Sequence, residues 1–144
     1  AVVYDIGAGT GSVSVEIALS GEKIKVYAIE KNPEGVELIR QNRKKFRVDG
    51  IRIIEGNAPE VLEGLEMPTH VFIGGSSGNL RQIIEKVTAA NPEVKIVLNA
   101  ISLETLGEVM ELSKDGLLKE IQEKRRLCNL LGVTAGLFLT ILIL

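Results

Sequence analysis

Three small groups of residues in this 144-residue chain have the types and spacing to do chemistry together. The first is Asp5-Ile6-Gly7-Ala8-Gly9-Thr10-Gly11, where glycines alternate with small residues directly after an aliphatic run. Glycine permits positive φ in a tight turn, and without a Cβ it lets a ligand approach the backbone closely. The N–H groups of a helix opening just beyond can hold an anionic group. The second is Glu30, nineteen positions after Gly11 at the end of the next aliphatic run. An acid at that place in a nucleotide-binding unit accepts hydrogen bonds from both ribose hydroxyls. Bonds of this charge-assisted kind are worth about 1.5–3 kcal/mol each. The third is Asn57, in Glu55-Gly56-Asn57-Ala58 after the third run, where a side chain reaches an adenine edge. Its plain alternative is a turn residue, because Gly-Asn also favours turns.

Two nucleoside ligands compete for such a loop. A dinucleotide fingerprint reads G-x-G-x-x-G, whereas this chain reads G-x-G-x-G and has Ser12 where the third dinucleotide glycine would fall. S-adenosylmethionine carries no pyrophosphate but has a sulfonium and a free amino group, and Asp5 beside the loop suits that cation. With Glu30 behind it, the pattern favours S-adenosylmethionine over NAD.

These residues need a scaffold, and the chain alternates short aliphatic runs with amphipathic stretches. Strands are expected at 1–6, 24–29, 51–54, 70–73 and 95–98, with a sixth at 117–121. Helices are expected at 12–20, from Pro33 with Asn32 as its cap, at 80–90 capped by Asn79, and at 103–112 capped by Ser102. Alternating strands and helices are the signature of a doubly wound parallel sheet, an α/β fold. Aromatic residues make up only 3% of the chain, so the core must be aliphatic, as in a parallel sheet buried on both faces.

The net charge of −2 gives no reason to expect nucleic acid or an anionic membrane as a partner. One cysteine, Cys128, excludes an internal disulfide and fits a reducing cytoplasm. The single His70 begins the fourth strand, far from its ligand end, and is read as structural. No metal-ligand spacing occurs, so no metal is expected. Arg40, Arg43, Lys44 and Arg47 share a helix face and read as a solvated face or a subunit contact. Residues 127–144 carry no charge, and Lys124-Arg125-Arg126 precede them. That length is at the lower limit for a membrane span. Asn129, Gly132 and Gly136 dilute it, and buried edge elements of the sheet are the preferred reading over a membrane.

Four blocks resemble the decarboxylating precorrin-6B (cobalt-precorrin) C15-methyltransferases of cobalamin biosynthesis, which are class I S-adenosylmethionine-dependent enzymes. They are Val3 to Glu16, Ala28 to Pro33, Val71-Phe72-Ile73-Gly74-Gly75-Ser76-Ser77-Gly78-Asn79-Leu80, and Val97 to Thr105. The resemblance covers roughly residues 2–121. It implies the Rossmann-like doubly wound sheet of these methyltransferases, and a cofactor site of Asp5, Gly7, Ala8, Gly9, Thr10, Gly11, Glu30, Lys31, Asn57 and Ala58. It also implies methyl transfer to C15 of a corrin precursor with loss of carbon dioxide from the ring C acetate, in a cytoplasmic homo-oligomer, a tetramer in the family. Members occur alone or fused to a domain that methylates C5.

For such a substrate, Gly74, Gly75 and Ser76 would leave room for a flat macrocycle and offer backbone N–H groups to its carboxylates. Asn99 and Glu104, after the fifth strand, would face the same cleft; helix capping and solvation are their alternative. A meso carbon of a reduced tetrapyrrole is electron-rich, so no strong base is required and no catalytic residue is named. The chain departs from the family before its first strand, where a covering segment is expected, and after Gln122, where two edge strands are expected. The sequence reading is therefore a methyltransferase domain at 1–122 with incomplete edge strands, followed by an atypical apolar tail at 123–144. A tRNA or protein methyltransferase, and an inactive S-adenosylmethionine-binding fragment, are the rival readings. An RNA enzyme would be expected to be more basic.

Overall fold

The computed structural model describes residues 1–100, 103–114, 121–123 and 139–143. The aliphatic runs form β1 (Val2–Ile6), β2 (Lys25–Glu30), β3 (Ile51–Glu55), β4 (His70–Ile73) and β5 (Lys95–Ala100). The amphipathic stretches form α1 (Ser12–Leu19), α2 (Pro33–Phe46), α3 (Leu80–Ala90) and α4 (Leu103–Lys114), and a single 3-10 turn spans Glu60–Leu62. Two further strands, β6 (Ile121–Glu123) and β7 (Leu139–Ile143), follow. The sheet order is β3-β2-β1-β4-β5-β7-β6.

The first five strands are parallel. From β1 the chain winds outward to β3, then returns to the other side of β1 with β4. The reversal opens a crevice beyond the carboxyl ends of β1 and β4, where ligands bind in sheets of this kind. Alternation along β2 shows why both faces are aliphatic. Val26 and Ala28 pack with Val15 of α1 and Ile39 of α2. Tyr27 and Ile29 point the other way, into a cluster with Ile83, Ile84 and Val87 of α3.

The start of α2 is built as its sequence requires. Asn32 is extended, its side chain accepts the Glu34 N–H at 3.0 Å, and Pro33 opens the helix. At the other end, the Arg43 guanidinium donates to the carbonyl of Ile51, the first residue of β3, at 3.2 Å. Arg40 pairs with Glu37 at 3.5 Å, Lys44 is exposed, and Arg47 ends the helix at φ 54°. This basic face therefore lies at the amino end of β3, opposite the crevice. His70 opens β4 at the same end, its Nδ1 2.9 Å from the Thr69 hydroxyl.

The sheet continues past β5 with an edge element of the kind the sequence reading preferred for the apolar tail: β7 pairs antiparallel with β5 and with β6. A five-residue run is long enough for a strand, and the length of an uncharged stretch does not by itself distinguish strands from a membrane span. Among the described residues no helix is long and apolar enough to cross a membrane. The sixth strand lies at Ile121–Glu123; residues 117–120, Ser102 and Cys128 lie outside the described residues. β5 runs two residues further than expected, because β7 pairs Thr140 with Asn99 and Leu139 with Ala100. Asn79 precedes α3 but makes no capping bond with its side chain.

Candidate functional site

The crevice is floored by the glycine loop. The Gly7 and Ala8 N–H groups both donate to the Ile29 carbonyl at 3.0 Å, which folds the loop over the end of β2. Gly7 has φ +73°, and a Cβ there would stand 2.6 Å from the Gly75 carbonyl oxygen. The loop after β1 thus lies backbone to backbone against the loop after β4. Gly9 differs: at φ +57° it has none of the described residues within 4 Å of where a Cβ would be. The backbone at Gly9 is open to an incoming molecule. The Thr10 carbonyl accepts a bond from the Asn42 side-chain amide of α2 at 2.8 Å, and the Thr10 hydroxyl is 2.8 Å from that of Ser12.

Glu30 closes the loop from the side. Its Oε2 accepts the Gly9 N–H at 2.7 Å and its Oε1 accepts the Asn32 N–H at 2.8 Å. The side chain is 9% exposed and lines the crevice. Each carboxylate oxygen keeps a lone pair beyond the bond it already accepts. The Glu30 carbonyl also accepts the Gly56 N–H at 3.0 Å, which joins the end of β2 to the turn carrying Asn57. Gly35, in the first turn of α2, makes this packing possible: a Cβ there would meet the Glu30 Cγ at 2.8 Å and the Gly9 carbonyl oxygen at 3.0 Å.

Asp5 takes a different place from the one its position beside the loop suggests. It is 1% exposed, beneath the loop, and its Oδ2 accepts the Ser14 hydroxyl of α1 at 2.5 Å. Its Oδ1 is buried without a partner among the described residues. Burial pushes its pKa up to about 6; the bonds from Ser14 oppose that rise and the charge of Glu30 adds to it.

A cleft of about 210 Å³ results, walled by Gly7, Glu30, Lys31, Asn57, Ala58, Gly75 and Ser76 of the expected residues. Ile6, Ile29, Gly56, Ser77 and Ile83 complete the wall. The structure brings both halves of the expected site to one cleft, but not every member. Asp5, Ala8, Gly9, Thr10, Gly11 and Gly74 support the loops without lining it. The Gly74 and Gly75 N–H groups both donate to the Ile6 carbonyl, at 2.9 and 3.3 Å, so they are not available to a ligand's carboxylates. Asn99 lies inside β5 rather than after it, does not line the cleft, and leaves its Oδ1 buried without a partner among the described residues. Glu104 falls in the first turn of α4, its side chain outside the described residues. Among the described residues no cluster of His, Cys, Asp and Glu is placed to hold a metal.

The arrangement suits a nucleoside. It offers a carboxylate at Glu30, an amide side chain at Asn57, apolar Ile6, Ile29 and Ile83, and open backbone at Gly75.

A family model of the precorrin methyltransferase domain matches residues 1–135. A Sulfolobus acidocaldarius protein named as a probable cobalt-precorrin-6B C(15)-methyltransferase (decarboxylating) is 44% identical over 126 residues, covering 83% of this chain and 64% of that protein. The crystal structure of precorrin-6y C5,15-methyltransferase from Geobacter metallireducens superposes with a TM-score of 0.74 at 43% identity, over 79% of this chain and 60% of the other. That of a precorrin 8W decarboxylase from Methanobacterium thermoautotrophicum gives 0.73 at 31% identity, over 87% and 72%. The chain spans 56–64% of the length of the curated relatives it matches.

Proposed function

The chain belongs to the precorrin methyltransferase domain family, and from that premise we propose that it methylates C15 of a corrin precursor and releases the ring C acetate carboxyl as carbon dioxide. S-adenosylmethionine is the donor and supplies a sulfonium methyl group to an electron-rich carbon. Glu30 would hold the ribose hydroxyls on its remaining lone pairs, and Asn57 with Ala58 would hold the adenine. Lys31, exposed beside Glu30, borders the same cleft. The open backbone at Gly9 and Gly75 leaves room for the rest of the donor and for the flat face of the acceptor.

One observation carries the proposal: Glu30, at the carboxyl end of β2, is fixed by two backbone amides at the wall of a cleft that Asn57 and Ala58 also line. This is nucleoside chemistry, and the family supplies the methyl transfer. The site residues work by alignment, holding donor and acceptor in one geometry. Substrate carboxylates are expected against the amides of Ser76 to Gly78, since those of Gly74 and Gly75 are taken. The enzyme works in the cytoplasm as a homo-oligomer, the tetramer of its family.

Calorimetry with S-adenosylmethionine tests the donor site. Wild type should bind in the micromolar range and Glu30→Ala at least tenfold more weakly, about 1.4 kcal/mol. A folded wild type that ignores S-adenosylmethionine overturns the proposal. Incubation with a corrin precursor should then give a product that has gained a methyl group and lost carbon dioxide, read by mass spectrometry.

A further inference from the structure

A polar residue just before a helix ordinarily caps it, its side-chain oxygen accepting an N–H of the first turn. Asn79 does not. Its side-chain amide donates instead to the carbonyl of Ala58, twenty-one residues away, at 3.1 Å. Ala58 is 5% exposed and packs in the main core cluster, so its carbonyl needs a partner inside the protein. The Asn79 backbone ties in two more elements: its N–H donates to the Ser76 carbonyl at 2.9 Å, and its carbonyl accepts the Ile83 N–H at 3.0 Å. Ala58, Ser76 and Ile83 all line the cleft. Asn79 therefore joins three pieces of the cleft wall without lining it.

We propose that Asn79 is a positioning residue that sets the enzyme's selectivity for the donor's base: by holding the Ala58 carbonyl it fixes the Asn57–Ala58 segment at the distance at which the adenine edge is read. The proposal rests on the donor site described above. It follows from the geometry because the Asn79 side-chain amide joins the Asn57–Ala58 segment directly to the α3 side of the cleft. Aspartate at position 79 has nearly the same shape and is a good residue before a helix, but it has no N–H to give. Its carboxylate would face the Ala58 carbonyl and push the segment away.

The test compares binding of S-adenosylhomocysteine and S-inosylhomocysteine, which differ only on the edge of the base, in the 6-amino or 6-oxo group and the proton that the oxo form carries on N1. Both are titrated calorimetrically into wild type, Asn79→Asp and Asn79→Ala, with a thermal melt for each protein. Wild type should prefer the adenosyl ligand. In both variants that preference should shrink about tenfold, while Asn79→Asp still melts as a folded protein. A merely structural asparagine would weaken both ligands alike and leave their ratio unchanged, which overturns the proposal. So does loss of the fold in both variants. Wild type that binds neither ligand overturns the donor site itself, an outcome distinct from an unchanged ratio.

Discussion

A side chain at Gly7 would run into Gly75, its Cβ 2.6 Å from the carbonyl oxygen and 2.7 Å from the amide nitrogen. The obstruction is backbone and cannot rotate away. Gly7→Ala must therefore separate the loops after β1 and β4, on top of the strain of an L-residue at φ +73°. A cost of about 3 kcal/mol is expected. Gly9→Ala meets no atom of the described residues, so only the strain remains, about 1 kcal/mol. Urea unfolding should show the larger loss for Gly7→Ala. Calorimetry should show Gly9→Ala folded but deficient in S-adenosylmethionine binding, because its Cβ occupies the open space. Equal stability losses in the two variants would contradict this account.

Glu30 is both a ligand to the donor and a brace for the empty loop. Glu30→Gln keeps the length but presents one N–H₂ where an acceptor stood, opposite either the Gly9 or the Asn32 N–H. Stability should fall by about 1–3 kcal/mol even without ligand. Glu30→Ala should do the same while opening the loop to faster amide exchange at Gly9. Exchange at Gly9 that stays as slow as in wild type would show that the brace is not made in solution.

Asp5 gives a pH dependence whose sign is fixed. Its pKa rises from an ordinary 3.8 to about 6 on folding, so the folded state holds a proton that the unfolded state has lost between those values. Stability from this group is therefore present below about 4 and lost as pH climbs through 6. The difference amounts to about 3 kcal/mol. Asp5→Asn removes the titration, so the variant should gain on wild type by that amount between pH 4 and 7. Parallel stability curves for the two proteins would count against the buried charge.

Asn32→Ala removes the acceptor of the Glu34 N–H at the start of α2. The expected loss is about 1 kcal/mol, a drop of a few degrees in Tm. Because the backbone N–H of Asn32 still reaches Glu30, donor affinity should change little. A tenfold loss of binding would instead mean that the cap itself orients Glu30.

The parts of this fold that sequence made legible are those governed by nearby residues. Aliphatic runs and helical spacing placed five strands and four helices, and the glycine loop with Glu30 located the cleft. What escaped depends on partners far along the chain. Asn99 reads as the residue after a strand until β7, forty residues later, pairs with it. Asn79 reads as a cap because its true partner, Ala58, belongs to another loop. Asp5 reads as a ligand group because its pairing with Ser14 depends on how α1 settles onto β1. Gly35 left a signal that went unused: a glycine inside a helical pattern usually has a packing reason, and here the reason is Glu30.

The placement of β7 between β5 and β6 carries a consequence for how the chain is made. β6 emerges from the ribosome before β7, its one neighbour in the sheet among the described residues, exists. Until residues 139–143 are available, β5 presents an unpaired edge, the kind of surface that recruits other chains. The parallel half, with the donor cleft, can assemble first; protection of β5 waits for β7. Ribosome-bound chains halted before residue 139 should therefore carry a formed glycine loop and still need a chaperone.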